Sequence, residues 1–535
     1  MVILHPSPRS SFFKNAAKSL EVKRLAEENN LYVKNTLQVI IYLPEMSNEE
    51  SVRTKNTSNK KVRSLYLERK LAKQSLIERQ VNLLQEVGVK EIFLTSKNES
   101  LLALVEESIL KSRNIPFKQK ITFHFSSTKR LLNTPSLFNK EIESNDGTTV
   151  LLMDGQWLFD KRIIQSILEE HSLEHVNKTE EKKTALSLLV EEDRQTKRPE
   201  DSSKLKVNSY LPLCRVTKLF LRKSFQNETE KNSGEMKEEQ EPVWNIIKTL
   251  AETNTASIKL STIPVYVPSM RRNLPVHYFK LETKRDLLRV KWNLVKLTQK
   301  GTLDLIAWYF NRPLEHMVTF TIANSPLTPN HITMLVNLLA FGLAACLLTA
   351  PYIRNKHPTI TTALPWIAFV LLIAVNVLDG VDGKLARVRG RLTISGNIEH
   401  SFDQLYEQTI YFAAGWYTIA ITNQPLLPWI IFLIAFLILD SFNRHVSMQY
   451  HLVVGLSLAD SSKFDRLFRR FDGRRNIYTL HILVLFILQA KYFLTVTFFA
   501  HALLTALVYS SSAIYHMRKA DQGIFPERII SKKTK

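Results

Sequence analysis

The chain is poor in cysteine. It has two, Cys214 and Cys346, far apart and without ligand-like spacing, which argues against a disulfide framework or a cysteine zinc site. Met1 to Lys18 lacks a clean apolar core, so no secretory signal is expected and the N-terminal half is expected to stay in the cytoplasm. Zinc-finger spacing and RNA-binding signatures are missing too, so no nucleic-acid partner is expected. Long apolar runs do not occur before about Lys300, where the chain is polar and rich in Lys and Glu. Acidic residues are outnumbered, 50 against 72 Lys and Arg, giving a formal charge of +22 over 535 residues. The basic residues cluster around the later apolar segments, which points to a membrane surface. The length implies more than one domain.

From Leu303 onward the composition changes. A span needs about 20 mostly apolar residues, and six candidates follow: about Ile332–Ala350, Thr362–Leu378, Leu405–Ile421, Leu426–Ser441, and two between Ile477 and Met517. One set of connections carries Lys384, Arg387, Arg389 and Arg391, then Arg444, Lys463, Arg466, Arg469, Arg470, Arg474 and Arg475; the opposite connections are poor in Lys and Arg. The charge bias puts the rich set and both termini in the cytoplasm. The stretch from Leu303 to Ile322 mixes aromatics with Arg312, Glu315 and His316. It reads either as an interfacial helix or as a soluble helix capping the preceding domain. Pro329 marks a helix start.

Between the second and third spans lies Asp379-Gly-Val-Asp382-Gly383-Lys-Leu-Ala386-Arg387, followed by Gly396, Glu399, His400 and Asp403. Carboxylates beside hydrocarbon are costly and usually functional. Asp379 and Asp382 are three apart, Glu399 and Asp403 four apart, so each pair shares a helix face. Oxygens from two facing helix ends suit Mg2+ or Mn2+. Gly383 and Gly396 leave room for close approach, and Arg387 can grip phosphate. Such a site would clamp a diphosphate, while a further carboxylate takes the proton of an attacking hydroxyl. The basic loop Arg469, Arg470, Arg474 and Arg475 faces the same side and could hold an acceptor's phosphate.

Asp379, Asp382, Gly383, Ala386, Arg387 and Gly396 resemble, in identity and spacing, the signature of the CDP-alcohol phosphatidyltransferase family, Asp-x2-Asp-Gly-x2-Ala-Arg-x8-Gly-x3-Asp-x3-Asp. Six spans and Thr328-Pro-Asn330-x-x-Thr333 look similar as well. The resemblance implies metal at Asp379 and Asp382, donor contacts at Gly383, Ala386, Arg387, Gly396, Asn330 and Thr333, and release of CMP from a CDP-linked alcohol to a hydroxyl acceptor. It also implies a membrane-lipid setting and a homodimer as one possibility. The second half departs. At strict spacing the last two acids fall on His400 and Gln404. Glu399 as metal ligand and Asp403 as base are the favoured substitutes; His400 as ligand or base stays open. A one-residue shift turns a helix position by about 100°, so the third span must be rotated or start differently.

In the first half, Leu37–Leu43, Glu91–Thr95, Ile121–Phe125 and Val150–Met153 read as strands. Ser75–Glu86, Leu101–Ser112 and a segment from Lys161 read as helices, giving a mostly parallel α/β sheet. Segments 171–208 and 227–241 read as loops or disorder, Ala256–Val267 as strand and Thr283–Lys300 as helix. Lys73, Val87–Phe93 and Met153-Asp154-Gly155 resemble the sugar-nucleotidyltransferase family. However, Pro44 to Asn59 has no glycine to cradle a triphosphate, and Lys280 stands where that family has a metal-binding aspartate. Loss of nucleotidyl transfer is expected. The fusion resembles bifunctional inositol-phosphate cytidylyltransferase/di-myo-inositol-phosphate-phosphate synthases. The expected architecture is a nucleotidyltransferase-like α/β domain (1–300), an interfacial helix (301–325), an all-α membrane domain of six transmembrane helices (326–520) and a basic tail (521–535). The expected role is membrane phosphoalcohol transfer in phospholipid or polyol-phosphate synthesis. CDP-diacylglycerol with a polar alcohol and CDP-inositol with inositol phosphate both stay open as substrates. The alternative is a non-catalytic membrane scaffold or regulatory protein derived from such an enzyme.

Overall fold

The computed structural model describes residues 38–43, 70–96, 98–111, 121–127, 149–169, 185–189, 210–217, 256–281, 283–301, 304–392, 395–422, 425–472, 475–490 and 493–524. The chain forms two compact units, residues 1–265 with 275–288, and residues 266–274 with 289–535.

The first unit is built on β1 (Gln38–Tyr42), whose five residues are all buried. An apolar run without alternation suits a strand covered on both faces. β1 pairs in parallel with β2 (Glu91–Ser96) and with β4 (Thr149–Asp154). β3 (Thr122–Ser127) adds in parallel to β2. The seven-stranded order is β3-β2-β1-β4-β7-β6-β8, with β6 at Ala185–Leu189, β7 at Tyr210–Thr217 and β8 at Ala256–Lys259. Only the two pairs made by β7 are antiparallel. Helix α1 (Leu76–Val87) starts in a capping box between Ser75 and Glu78 and ends at Gly88, φ 96°. That left-handed position favours glycine. α2 (Glu99–Lys111) and α3 (Lys161–Glu169) follow. Beyond β4, β5 (Trp157–Phe159) pairs with a late strand at Tyr278–Lys280. At Gly155 a Cβ would lie 2.9 Å from the Tyr42 carbonyl oxygen, so the β4–β5 turn can press on β1 only because no side chain is there.

Three expectations change. Segment 171–208, read as loop or disorder, contains β6: Ala-Leu-Ser-Leu-Leu has the apolar content to join a sheet although its flanks are charged. β7 was not foreseen, and it buries Leu213 and Cys214; burial pushes the Cys214 thiol up to about 12, leaving it unreactive. Ala256–Val267 is not one strand. It breaks after β8 into a 3-10 turn at Leu260–Thr262, and β9 (Tyr266–Val267) pairs instead with β10 (Arg272–Asn273). Pro264 cannot donate to a ladder. Residues 44–59, 227–241, Glu282, Arg474 and the basic tail from 525 lie outside the described residues.

The second unit is helical. α4 (Lys284–Leu297) leads into it, and a π-turn at Ala307–Asn311 precedes α5 (Arg312–Ile322). Then come α6 (Pro329–Ile353), α7 (Pro358–Val388), α8 (Glu399–Ile421), α9 (Leu426–Val454), α10 (Lys463–Phe471), α11 (Arg475–Ile487) and α12 (Leu494–Asp521). α6, α7, α9 and α12 are long and apolar enough to cross a membrane. Six such helices were expected. α11 has 13 residues, too few for about 20, and α8 carries Glu399, Asp403 and Glu407 along its first turns. Tyr411, Phe436, Tyr478 and Phe498 pack mostly edge-to-face in the core, Tyr411 with ring centroids 5.3–5.8 Å from the other three. Gly415 lets α8 meet α9, since a Cβ there would be 2.5 Å from Leu433 Cδ1. 

The end of α7 is tied to the end of α5 by one side chain. Buried Arg389 donates to the carbonyls of Ile322 (3.1 Å), Ala323 (3.0 Å), Ser325 (2.9 Å) and Leu327. They lie at and just past the end of α5, where carbonyls lack helical partners; that of Ile322 also accepts from the Ser325 N–H at 2.9 Å. Arg389→Ala is expected to destabilise the helical unit by about 3 kcal/mol, because buried carbonyls lose a charged donor. An unchanged thermal midpoint in detergent would refute that role.

Candidate active site

The length of α7 sets the site. Its 31 residues extend about 46 Å at 1.5 Å per residue, well past a hydrocarbon core of about 30 Å. The surplus at the C-terminal end carries Asp379, Asp382, Gly383, Ala386 and Arg387.

Each acidic group there has a defined neighbour. The Tyr406 hydroxyl of α8 donates to Asp379 Oδ1, and Arg475 of α11 pairs with Asp379 Oδ2. Arg475 also reaches the Tyr406 hydroxyl at 3.1 Å and Glu407 Oε1 at 3.5 Å. Glu407 pairs with Arg444 of α9, which also holds Asp440 at 3.0 Å. Thr333, in the first turn of α6, donates to Asp382 Oδ2 at 2.7 Å. The Glu399 carboxyl lies within hydrogen-bond reach of Asp382. Among the described residues, neither Asp382 nor Glu399 forms an ion pair.

The chain enters α8 through an irregular turn. A 3-10 turn at Ser395–Ile398 precedes Glu399, so Glu399 opens the helix facing Asp382. One turn later, Asp403 lies in the field of Asp379, Arg475 and Glu407. The His400 side chain is 75% exposed, with its Nδ1 3.4 Å from Asp403 Oδ2. Gly396 lies in the 3-10 turn, and Asn330 is exposed at the start of α6. Arg387 donates through Nε to the Thr298 carbonyl at 2.9 Å, within the field of Asp382 and Glu399.

The glycines act on neighbouring protein groups. A Cβ at Gly383 would come 3.2 Å from Arg387 Nη1, and one at Gly380 would come 2.5 Å from the Glu315 carboxyl. Gly380, Glu315 and Lys384, the last two an ion pair, support the back of the motif and were not foreseen; nor was Tyr406. Lys300 also belongs here. Burial, Arg387 and Arg271 push it down to about 8, with Glu399 acting against them.

The expected acceptor-phosphate arginines separate. Arg475 is committed to the acidic cluster. Arg469 donates to the Asp472 carbonyl at 2.9 Å and lines a cavity of about 130 Å³ with Arg271. Arg470 is exposed on α10. Among the described residues, no three His, Cys, Asp or Glu side chains converge as a metal cluster. Asp382 and Glu399 nevertheless fit a hard divalent cation: two oxygen-donor groups face each other and, among the described residues, neither is in an ion pair.

Residues 326–508 match the CDP-alcohol phosphatidyltransferase family. The segment is a CDP-alcohol phosphatidyltransferase domain, and the chain is a transferase of substituted phosphate groups. No curated protein matches the chain. The crystal structure of 4-diphosphocytidyl-2C-methyl-D-erythritol synthase from Anaerococcus prevotii aligns with 48% of this chain and 96% of that one, at 10% identity and a TM-score of 0.29. That likeness is too slight to assign a fold.

Behind Glu315, His316 is buried against the edge of Trp292. Burial, then Lys384, Arg312, Lys296 and Arg272, push its imidazole from 6.5 down to about 4. The unfolded chain therefore binds this proton over a pH range where the folded chain does not. Stability from this group is full above pH 6.5 and is lost as pH falls towards 4. His316→Gln is expected to flatten the fall of thermal midpoint across that window, and equal slopes for the two proteins would count against it.

Proposed function

We propose that this chain transfers a phosphoalcohol from a CDP-linked donor to an acceptor hydroxyl at a membrane surface, releasing CMP. The observation that carries the reading is the facing pair Asp382 and Glu399, in no ion pair among the described residues, in a domain of CDP-alcohol phosphatidyltransferase type. The acceptor oxygen attacks the phosphorus bearing the donor alcohol. The bond from that phosphorus to the bridging oxygen breaks, and CMP leaves with the oxygen and its electron pair. Asp403 receives the hydroxyl proton. Arg387 and Lys300 offer positive charge to the diphosphate, and Asn330 and Thr333 line the approach from α6. Arg469 and Arg470, with Arg474, are offered to an acceptor phosphate. Mg2+ or Mn2+, held by Asp382 and Glu399 with Asp379 as a further ligand, would neutralise diphosphate charge.

In this reading α8 and α11 complete a six-helix membrane domain, the site and first unit face the cytoplasm, and the aromatics of the π-turn lie along the interface. Trp308, Tyr309 and Phe310 are 42%, 74% and 54% exposed, as residues resting on lipid would be. Donor, acceptor, pathway and a homodimer are matters for product analysis.

Purified full-length protein with Mg2+, labelled CDP-alcohols and a polyol and lipid panel is expected to release CMP, and Asp382→Asn to reduce release to background. No release across the panel would sink the proposal; undiminished release by the variant would remove the metal assignment. A second comparison separates the candidate bases. Asp403→Asn is expected to lower turnover by on the order of 10²-fold or more, with His400→Ala close to wild type. The reverse pattern would transfer the base role to His400.

A further inference from the structure

At the end of the helical unit remote from Asp379 there is a cavity of about 420 Å³, within the usual size of small-ligand pockets. Its lining is two-sided. Arg354, Thr361, Thr362 and Gln489 supply polar groups; Trp366 and Phe486 supply apolar surface. Arg354 follows α6, and its Nη1 donates to the carbonyl of Ile421, at the end of α8, at 3.2 Å. That bond holds the guanidinium at the rim, and among the described residues it makes no other. Tyr417 stacks on Phe486 at 5.6 Å, and Trp366 meets Phe369 edge-on at 5.9 Å. Pro365, Phe369 and Phe486 also line an adjoining apolar seam, which has only about 10 Å³ of open space. A chain would therefore lie in the cavity and along exposed Trp366 and Val370, not between the helices.

We propose that this cavity holds one anionic phospholipid, its phosphate on Arg354 and its acyl chain against Trp366 and Phe486. A fixed cation beside aromatic surface matches an amphiphile with an anionic head. From Thr361 to Asp379 α7 rises through 18 residue steps, about 27 Å, close to the hydrocarbon thickness of about 30 Å. The bound lipid thus belongs to the leaflet opposite the acidic residues. It stabilises the domain and is not a substrate of the transfer. The proposal rests on the membrane setting and not on the chemistry at Asp382.

The test uses full-length protein, delipidated in dodecyl maltoside and titrated separately with phosphatidylglycerol, phosphatidylcholine and inorganic phosphate. Thermal midpoint and native mass spectrometry are the readouts, independent of CMP release. Phosphatidylglycerol is expected to be retained at one per chain, to raise the midpoint, and to bind about tenfold tighter than phosphatidylcholine. Arg354→Ala is expected to abolish that preference while leaving the lipid-free midpoint unchanged. Thr362→Trp, at an exposed position, is expected to fill the cavity and abolish retention. Equal binding of the two lipids by wild type would overturn the proposal, as would retention unaffected by both variants. The same shift with inorganic phosphate alone would reduce the cavity to an anion site and also overturn it.

Discussion

The helical unit depends on how it compensates buried negative charge. An unpaired carboxylate away from water is too costly to keep, and most acids here have a basic neighbour. Arg475 holds Asp379 and Glu407, Arg444 holds Glu407 and Asp440, and Lys384 holds Glu315. These pairs bridge α7, α8, α9, α11 and α5, so compensation and helix assembly are the same contacts. Breaking one partner of such a pair is far more damaging than removing both. Against that background Asp382 and Glu399 stand out, because they face each other. Among the described residues these two acids form no ion pair, although Arg387 lies in the field of both.

Much of the candidate site could be read in the sequence, and what could not was either a local irregularity or a long-range contact. Asp379, Asp382 and Arg387 are recognisable from type and spacing alone, since the whole set lies on one helix. The second half was ambiguous because the helical phase of α8 is set by the 3-10 turn at Ser395–Ile398, a local irregularity that no spacing rule encodes. Glu315 was invisible for another reason. Its contact with Gly380 and Lys384 spans more than sixty residues, and nothing in either segment announces the other. Arg475 was grouped with Arg469, Arg470 and Arg474 as a holder of an acceptor's phosphate, whereas its position at the first turn of α11 turns it towards Asp379.

The same division holds in the first unit. β1, β2 and α1 follow from an apolar run, a second apolar run and a capping box ending at Gly88. β6 and β7 were missed because the former is short and set among charges and the latter contains Pro212; their reason to be strands is the partner they find across the sheet. In the helical unit, hydropathy identifies the helices long and apolar enough to cross a membrane, α6, α7, α9 and α12. It undervalues α8, which buries Tyr406, Glu407 and Tyr411 against protein and has less need of an apolar exterior.

Arg389 has a mechanical consequence. It joins two helix C-termini, both electronegative ends, through a single guanidinium that neither could replace with backbone. α5 and the aromatic turn before it are thereby leashed to the tip of α7. In the membrane setting proposed above, the depth at which Trp308 and Phe310 rest would fix how far Asp382 rises from the bilayer. The unit carries its own draught mark, and a thicker or thinner membrane would be felt first as a pull on the Ile322–Leu327 turn.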